Sequence, residues 1–381
     1  MSVLSPVALA RDLAIPDLTA VPSALAAMVH AITVALRDAW SGVHVRTVRN
    51  HPIVSMDDNY DRLGFPHDAV TRDARYSRYV SETCLLRTHT SAMVPPALRS
   101  LAAEGDSRPD DVLLACPGLV YRRDAIDRLH TGTPHQLDLW RIADRGSAQA
   151  MSVDDLEAMI ATIVAAALPG VERRSVPAEH PYTTAGRQID VRVGDEWVEV
   201  GECGLAAGSV LTAAGLPPTA SGLAMGLGLD RLVMLRKGIA DIRLLRSTDL
   251  RVASQLRDLE PYRPVSNHPA IRRDVSVAVG DDVDDESLGD VVREALGSDS
   301  DCVESVAILT STPYDVLPAV AVGRLGIRPG QRNLLVRVVL RHVDRTLTDA
   351  EANALRDRIF DALHRGTSGP GGDVHDEVGH A

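Results

Sequence analysis

The chain has 381 residues, 45% of them hydrophobic and 24% charged, with a formal net charge of -12, the balance of a soluble globular protein with room for two or three domains. An overall acidic charge argues against broad adhesion to nucleic acid, and no apolar run is long enough to span a bilayer. No secretory leader pattern is visible, and the four cysteines lie too far apart for a Cys-x-x-Cys metal or disulfide framework, so a reducing cytoplasm is the expected setting.

Lys237 is the only lysine, every other basic side chain in the Lys and Arg count being arginine. With the many alanines this reads as coding bias toward GC-rich codons, and it argues against a mitochondrial address.

In chain order, an Ala/Leu/Val pattern from Pro22 to about Trp40 predicts one helix, with the proline at its start. From about 44 to 263, short strand-like runs alternate with turns. Strands are expected at 111–114, 119–122, 189–193 and 196–200, and helices at 154–167 and 231–237. That mixture suits an antiparallel sheet flanked by helices. Pro261-Tyr-Arg-Pro-Val-Ser-Asn-His-Pro269 reads as a linker, since proline resists both helix and ladder pairing.

Beyond the linker, strands are expected at 274–279, 303–309 and 333–343, and helices at 286–296 and 348–364, the latter opening on a Thr-x-x-Glu capping box. This β-α-β-β-α order fits a split βαβ, ferredoxin-like unit without a clear fourth strand. In its third strand Arg337 and Arg341 share one face, opposite Leu334, Val336, Val338 and Leu340, and Arg324, Arg328 and Arg332 precede it. A cationic sheet face suits RNA loops, although residues 281–286 are nearly all acidic. The tail 367–381 is expected to be disordered.

Two segments carry the chemistry. Val120-Tyr-Arg-Arg-Asp-Ala-Ile-Asp-Arg-Leu-His130 places Arg122 on a strand-like run ahead of a polar loop, and Gly226-Leu-Gly-Leu-Asp-Arg-Leu-Val233 places Arg231 in the first turn after a glycine-rich junction. Two guanidinium forks suit a bent triphosphate, because arginine pairs phosphate oxygens bidentately and keeps its charge.

With Leu85-Leu-Arg-Thr-His-Thr-Ser91, His135-Gln-Leu-Asp138, Asp57-Asp-Asn-Tyr-Asp-Arg-Leu-Gly-Phe-Pro66 and Trp197-Val-Glu-Val-Gly-Glu-Cys-Gly204, these segments resemble the class II aminoacyl-tRNA synthetases. The nearer likeness is to single-chain, mitochondrial-type phenylalanyl-tRNA synthetases, from about residue 50 to 364. The resemblance implies an α+β chain: an N-terminal helical extension (1–43), an antiparallel-sheet catalytic domain (44–263) and a ferredoxin-like anticodon-binding-type domain (264–366), with no separate editing domain.

It further implies activation of phenylalanine or a related amino acid by ATP with Mg²⁺, then transfer to tRNA. The other acceptor open at this point is a non-tRNA molecule in small-molecule biosynthesis. Arg122 would bridge the α-phosphate and the substrate carboxylate, Arg231 would hold the γ-phosphate, and His130 would lie by the nucleotide. Glu199, with Glu202 second, would carry the metal. His89, Ser91, Asp124, Gln136 and Asp138 would meet the amino-acid head group.

The chain departs from the family at Pro134-His-Gln-Leu-Asp138, where Phe-His-Gln-x-Glu is usual, and at His180-Pro-Tyr-Thr183, where two phenylalanines face the substrate ring. His180 and Tyr182 add hydrogen-bonding capacity there, so a hydroxylated, smaller or more polar side chain becomes plausible. Ala224 is expected to leave the pocket deep.

Overall fold

A computed structural model describes residues 3–73, 76–123, 127–144, 149–264 and 268–367. Asp124, the linker residues 265–267 and the tail from 368 lie outside it. The chain divides into two compact units, Met1–Arg122 with Gly132–Val265, and Arg123–Thr131 with Ser266–Ala381.

The first unit is built on a seven-stranded sheet. Its strands are β1 (His44–Thr47), β4 (Asp111–Leu119), β5 (His135–Ala143), β6 (Arg173–Pro177), β7 (Thr183–Val193), β8 (Glu196–Ala206) and β9 (Ser221–Gly228), in the order β1-β4-β5-β9-β8-β7-β6. β1 runs parallel to β4, and every other pair is antiparallel. A short ladder joins β2 (Ile53–Ser55) to β3 (Cys84–Leu86).

The period of two sorts the side chains. Leu137, Leu139, Leu223, Met225 and Leu227 of β5 and β9 face a helical layer. There the helix Ala24–Ala39, capped by Ser23, buries Leu25, Met28, Ile32 and Leu36 at helical spacing. The helix Val153–Ala167 starts from a Ser152/Asp155 capping box and buries Leu156, Met159, Ile160 and Ile163. Each such side chain stabilises the fold by about 1.5–3 kcal/mol on burial. The opposite face carries Gln136, Asp138 and Trp140 on β5, and it forms the site described below.

One expectation is corrected here. The two strands expected at 111–114 and 119–122 are replaced by the single strand β4, which includes Cys116-Pro-Gly, and Arg122 follows that strand instead of lying on it. The N–H of Val120 donates to Pro134 and that of Arg122 to Gly132, so even-numbered residues face β5. Pro117, being odd, turns its donorless nitrogen to the other edge, where the β1 pairing has ended at Ala115.

Lys237 is 2% exposed at the end of the helix Leu229–Lys237. Its ammonium donates to the carbonyls of Asp258 and Glu260 and to the Asp258 carboxylate at 3.1 Å. Three acceptors converging on one compact point suit a rotating ammonium better than a planar guanidinium.

The second unit holds β10 (Ile271–Gly280), β11 (Val303–Pro313) and β12 (Gln331–Leu340), antiparallel in the order β10-β12-β11. With the third strand between the first two, this is the split βαβ arrangement. Val275, Val277, Val303, Leu334, Val336, Val338 and Leu340 pack under the helices Asp285–Leu296 and Asp349–Leu363, and Thr348 caps the latter in a box with Glu351.

The cationic face expected on β12 is neutralised. Arg337 binds Asp274 through two 2.8 Å hydrogen bonds, and Arg341 meets the buried Glu304 at 2.6 Å, as does Arg128. Register sets the first of these pairs: Asp274 lies directly across from Arg337 on β10.

Candidate active site

The alternation on β9 produces an unusual floor. The residues facing away from the helical layer are Gly222, Ala224, Gly226 and Gly228, none longer than a methyl group. Asp138 of β5 and Glu202 of β8 are both in register with Gly226, one on each side of it. Two strand spacings put their backbones about 10 Å apart on one face. A Cβ at Gly226 would meet nothing closer than the Asp138 carboxylate, at 3.7 Å, so the floor between the two acids is open.

Asp138 is 2% exposed. It accepts hydrogen bonds from the hydroxyls of Thr90 at 2.7 Å and Ser91 at 2.8 Å. Burial pushes its acid constant up to about 6, against the pull of those bonds and of Arg122. Gln136 accepts from the Thr90 N–H at 3.3 Å, so the Thr88–Ser91 turn is laid over β5. Asn59 clamps the start of that turn, donating to the Thr88 hydroxyl and accepting its N–H.

His89 stacks on Phe65 with centroids 5.4 Å apart and meets Tyr60 edge-on. Its ring nitrogens are shut away from solvent without a hydrogen bond of ordinary geometry. Burial, and then Arg122, lower its acid constant to about 3, so the ring is neutral. Tyr182 continues this aromatic wall, 6.0 Å from Trp140 and 6.1 Å from Phe65. Burial raises its hydroxyl acid constant far beyond the physiological range. Ala224 has Trp140 directly across the ladder, and both residues are fully buried in one cluster.

Arg122 stands at the middle of the charged groups. Its Nε donates to the Thr88 carbonyl at 2.7 Å, and its own carbonyl accepts from Arg78 at 2.8 Å. Its field favours the ionised forms of Asp138, Glu199 and Glu202. Arg231 sits in the first turn of Leu229–Lys237 and donates to the Glu199 carbonyl at 3.0 Å. Burial, and then the nearby Glu202, raise the acid constant of the Glu199 carboxyl. Glu202 shifts the other way, because His180 binds it at 3.1 Å and outweighs its burial.

Of the sequence-derived candidates, the structure groups Arg122, His89, Ser91, Gln136, Asp138, His180, Tyr182, Glu199, Glu202, Ala224 and Arg231 around one sheet face. His130 falls in the segment Arg123–Thr131, which groups with the second unit, and its Nδ1 lies 2.7 Å from Asp127. Asp124 is outside the described residues. Among those residues no group of three or more His, Cys, Asp or Glu side chains is arranged to hold a metal by itself.

Four neighbours were given no role by the sequence. Thr90, His135 and Asp230 lie inside the motifs, and Trp140 follows Gln136 and Asp138 at a period of two. Asp230 takes both the backbone N–H and the Nδ1 of His135, while His135 Nε2 accepts from the Leu18 N–H at 3.2 Å.

The family profile described as "tRNA synthetases class II core domain (F)" matches residues 12–256. The chain is 28% identical to the mitochondrial phenylalanine–tRNA ligase of Saccharomyces cerevisiae, over 82% of this chain and 80% of that one. It is 29% identical to the chloroplastic/mitochondrial phenylalanine–tRNA ligase of Arabidopsis thaliana, over 82% and 70%. It is 34% identical to the phenylalanine–tRNA ligase alpha subunit of Prochlorococcus marinus, over 57% and 62%.

These names overturn the cytoplasmic expectation, since the relatives matching most of the chain are mitochondrial or chloroplastic. The cysteine spacing behind that expectation does not distinguish the cytoplasm from other reducing interiors. A non-tRNA acceptor gains no support from the relatives.

Proposed function

Because the chain belongs to the class II tRNA synthetases through their (F) core domain, we propose that it activates phenylalanine or a related amino acid with ATP and transfers it to tRNA. One observation carries this reading. A glycine-floored sheet face gathers Arg122 and Arg231 with Gln136, Asp138, Glu199 and Glu202, so positive groups for phosphates and negative groups for an ammonium line one trench.

In activation, a carboxylate oxygen of the amino acid attacks the α-phosphorus. The new O–P bond forms as the bond to the bridging oxygen breaks, and pyrophosphate leaves with that electron pair. Asp138 and Gln136 hold the ammonium, and Arg122, anchored through Nε on the Thr88 carbonyl, faces the developing phosphate charge without having to reorganise. Arg231 takes the far phosphate.

Glu199 is the residue for Mg²⁺: its half-buried carboxylate is crowded by Glu202, and a hard cation would relieve that crowding. When bound, the ion would neutralise phosphate charge. His130 is the nucleotide-side candidate from the loop, and Asp124 belongs to the same reading of the ammonium end.

The same reading makes 44–263 the catalytic domain, preceded by the helical segment 1–43. The split βαβ unit, 264–366, is then the anticodon-binding-type domain. Its exposed Arg337–Asp274 pair means that RNA contact at that arginine would have to exchange partners.

Amino-acid-dependent pyrophosphate exchange, followed by tRNA charging, tests the proposal. Arg122→Ala and Arg231→Ala should each slow exchange by about 10²–10³ while leaving the circular dichroism of the folded chain intact. Exchange at the parental rate in both variants would remove the two arginines from the site.

A further inference from the structure

We infer that the side-chain end of this site reads a hydrogen-bond donor: the amino acid it selects is an aromatic one whose ring carries a hydroxyl, and His180 with Glu202 make the selection. This rests on the adenylation reading above and names its substrate more closely.

The trench has two acidic poles, and a single ammonium needs one. Asp138, with Gln136 and the hydroxyls of Thr90 and Ser91, makes the first pole. Glu202 makes the second, across the open glycine floor at Gly226. Between them the walls are aromatic. Trp140 stacks on Tyr182, and Tyr182 lies between Phe65 and His180 at centroid distances of 6.1 and 6.0 Å. A ring is therefore what the walls accept, and the carboxylate at the end is what the ring must answer.

The second pole is held in place. The His180 side chain is 8% exposed and lies 3.1 Å from Glu202, whereas the Glu202 side chain is 45% exposed. The imidazole is fixed from behind, with Nδ1 3.4 Å from the Thr183 hydroxyl. The segment carrying it hugs β7 so closely that a Cβ at Gly186 would run into the Ala178 carbonyl and stand 3.0 Å from His180 Nδ1. A carboxylate accepts several hydrogen bonds, so Glu202 bonded to His180 keeps capacity for a donor from the trench.

A plain phenyl ring seated here would strip water from that carboxylate and return no bond. A phenolic hydroxyl would donate to it. Sites built around a substrate hydroxyl reject the analogue lacking it strongly, because the protein group is then stranded.

The test is calorimetric titration of the full chain, without ATP, with phenylalanine, 4-hydroxyphenylalanine and 3-hydroxyphenylalanine. The parent should bind at least one hydroxylated ring about tenfold or more tighter than phenylalanine. Glu202→Gln and His180→Phe, each checked for a parental melting curve, should narrow that preference severalfold, and one folded variant suffices. Phenylalanine binding as tightly as both hydroxylated rings, a preference that survives the substitutions, or no binding of any of the three overturns the inference. Pyrophosphate exchange separates the two levels. Exchange that is best with phenylalanine sinks the inference and leaves the adenylation reading. A hydroxyl preference in binding with no exchange for any amino acid sinks the adenylation reading and leaves the inference.

Discussion

Asp230 and His135 meet through two hydrogen bonds, one to the backbone N–H of His135 and one of 3.0 Å to its Nδ1, although they lie 95 residues apart. The pair ties the first residue of β5 to the first turn of the helix that carries Arg231. Burial disfavours the Asp230 carboxylate, but its contacts with His135, through the backbone N–H and Nδ1, overcome this and hold it below the usual range. The β5 end that presents Gln136 and the helix that presents Arg231 are thereby fixed to each other.

Asp230→Ala should therefore act at two levels. It strands the His135 donors in a dry site, which costs about 1–3 kcal/mol per group, read as a lower urea midpoint. It should also raise the KM for ATP in pyrophosphate exchange more than the KM for the amino acid, since Arg231 loses its support. An equal rise in both would count against the positioning role.

Asp138 predicts a pH signature. With an acid constant near 6, it loses charge as the pH falls through that value, so the KM for the amino acid should rise below about pH 6. The stability effect has the opposite sense. The folded value is raised above the unfolded one, so the folded state binds more protons in the window between about 4 and 6, and stability falls as the pH rises through it. Asp138→Asn should remove the KM inflection and, at neutral pH, leave the chain as stable as the parent or more so. A clear loss of stability would contradict the burial penalty.

Glu199 and Glu202 separate by metal dependence. Glu199→Gln keeps shape and removes charge, so it should raise the Mg²⁺ concentration needed for half-maximal exchange well beyond the effect of Glu202→Gln. The contrast follows from their surroundings: Glu202 already has His180, whereas Glu199 is crowded by another acid. Titration curves that coincide for both variants and the parent would move the metal elsewhere.

In the second unit, Glu304 is 5% exposed and meets both Arg128 and Arg341 at 2.6 Å. Glu304→Ala removes the shared acceptor and should lower stability by about 1–3 kcal/mol in urea unfolding. Arg337→Ala, which breaks the more exposed pair with Asp274, should change it far less. A larger effect from Arg337 would reverse this ranking of the two pairs.

Much of this molecule is legible in one dimension. The capping boxes at Ser152 and Thr348 start helices where expected, and the apolar alternation of Leu334, Val336, Val338 and Leu340 correctly assigns the buried face of β12. Arg122 stands out because its motif is short and keeps its spacing whatever surrounds it, whereas Gln136 and Asp138 are carried by the family resemblance. Capping, helical period and strand alternation are local properties, set by neighbours a few residues apart. What the tertiary structure decided is partnership. Pro117 is tolerated inside β4 only because β1 stops short of it, and Arg337 is neutralised only because register sets Asp274 opposite. Trp140 is set directly across from Ala224, and His180, a departure from the family pattern, comes to lie 3.1 Å from Glu202. Cross-strand neighbours are chosen by sheet order and register, which depend on the packing of the whole unit, so no spacing along the chain could show that these residues would touch.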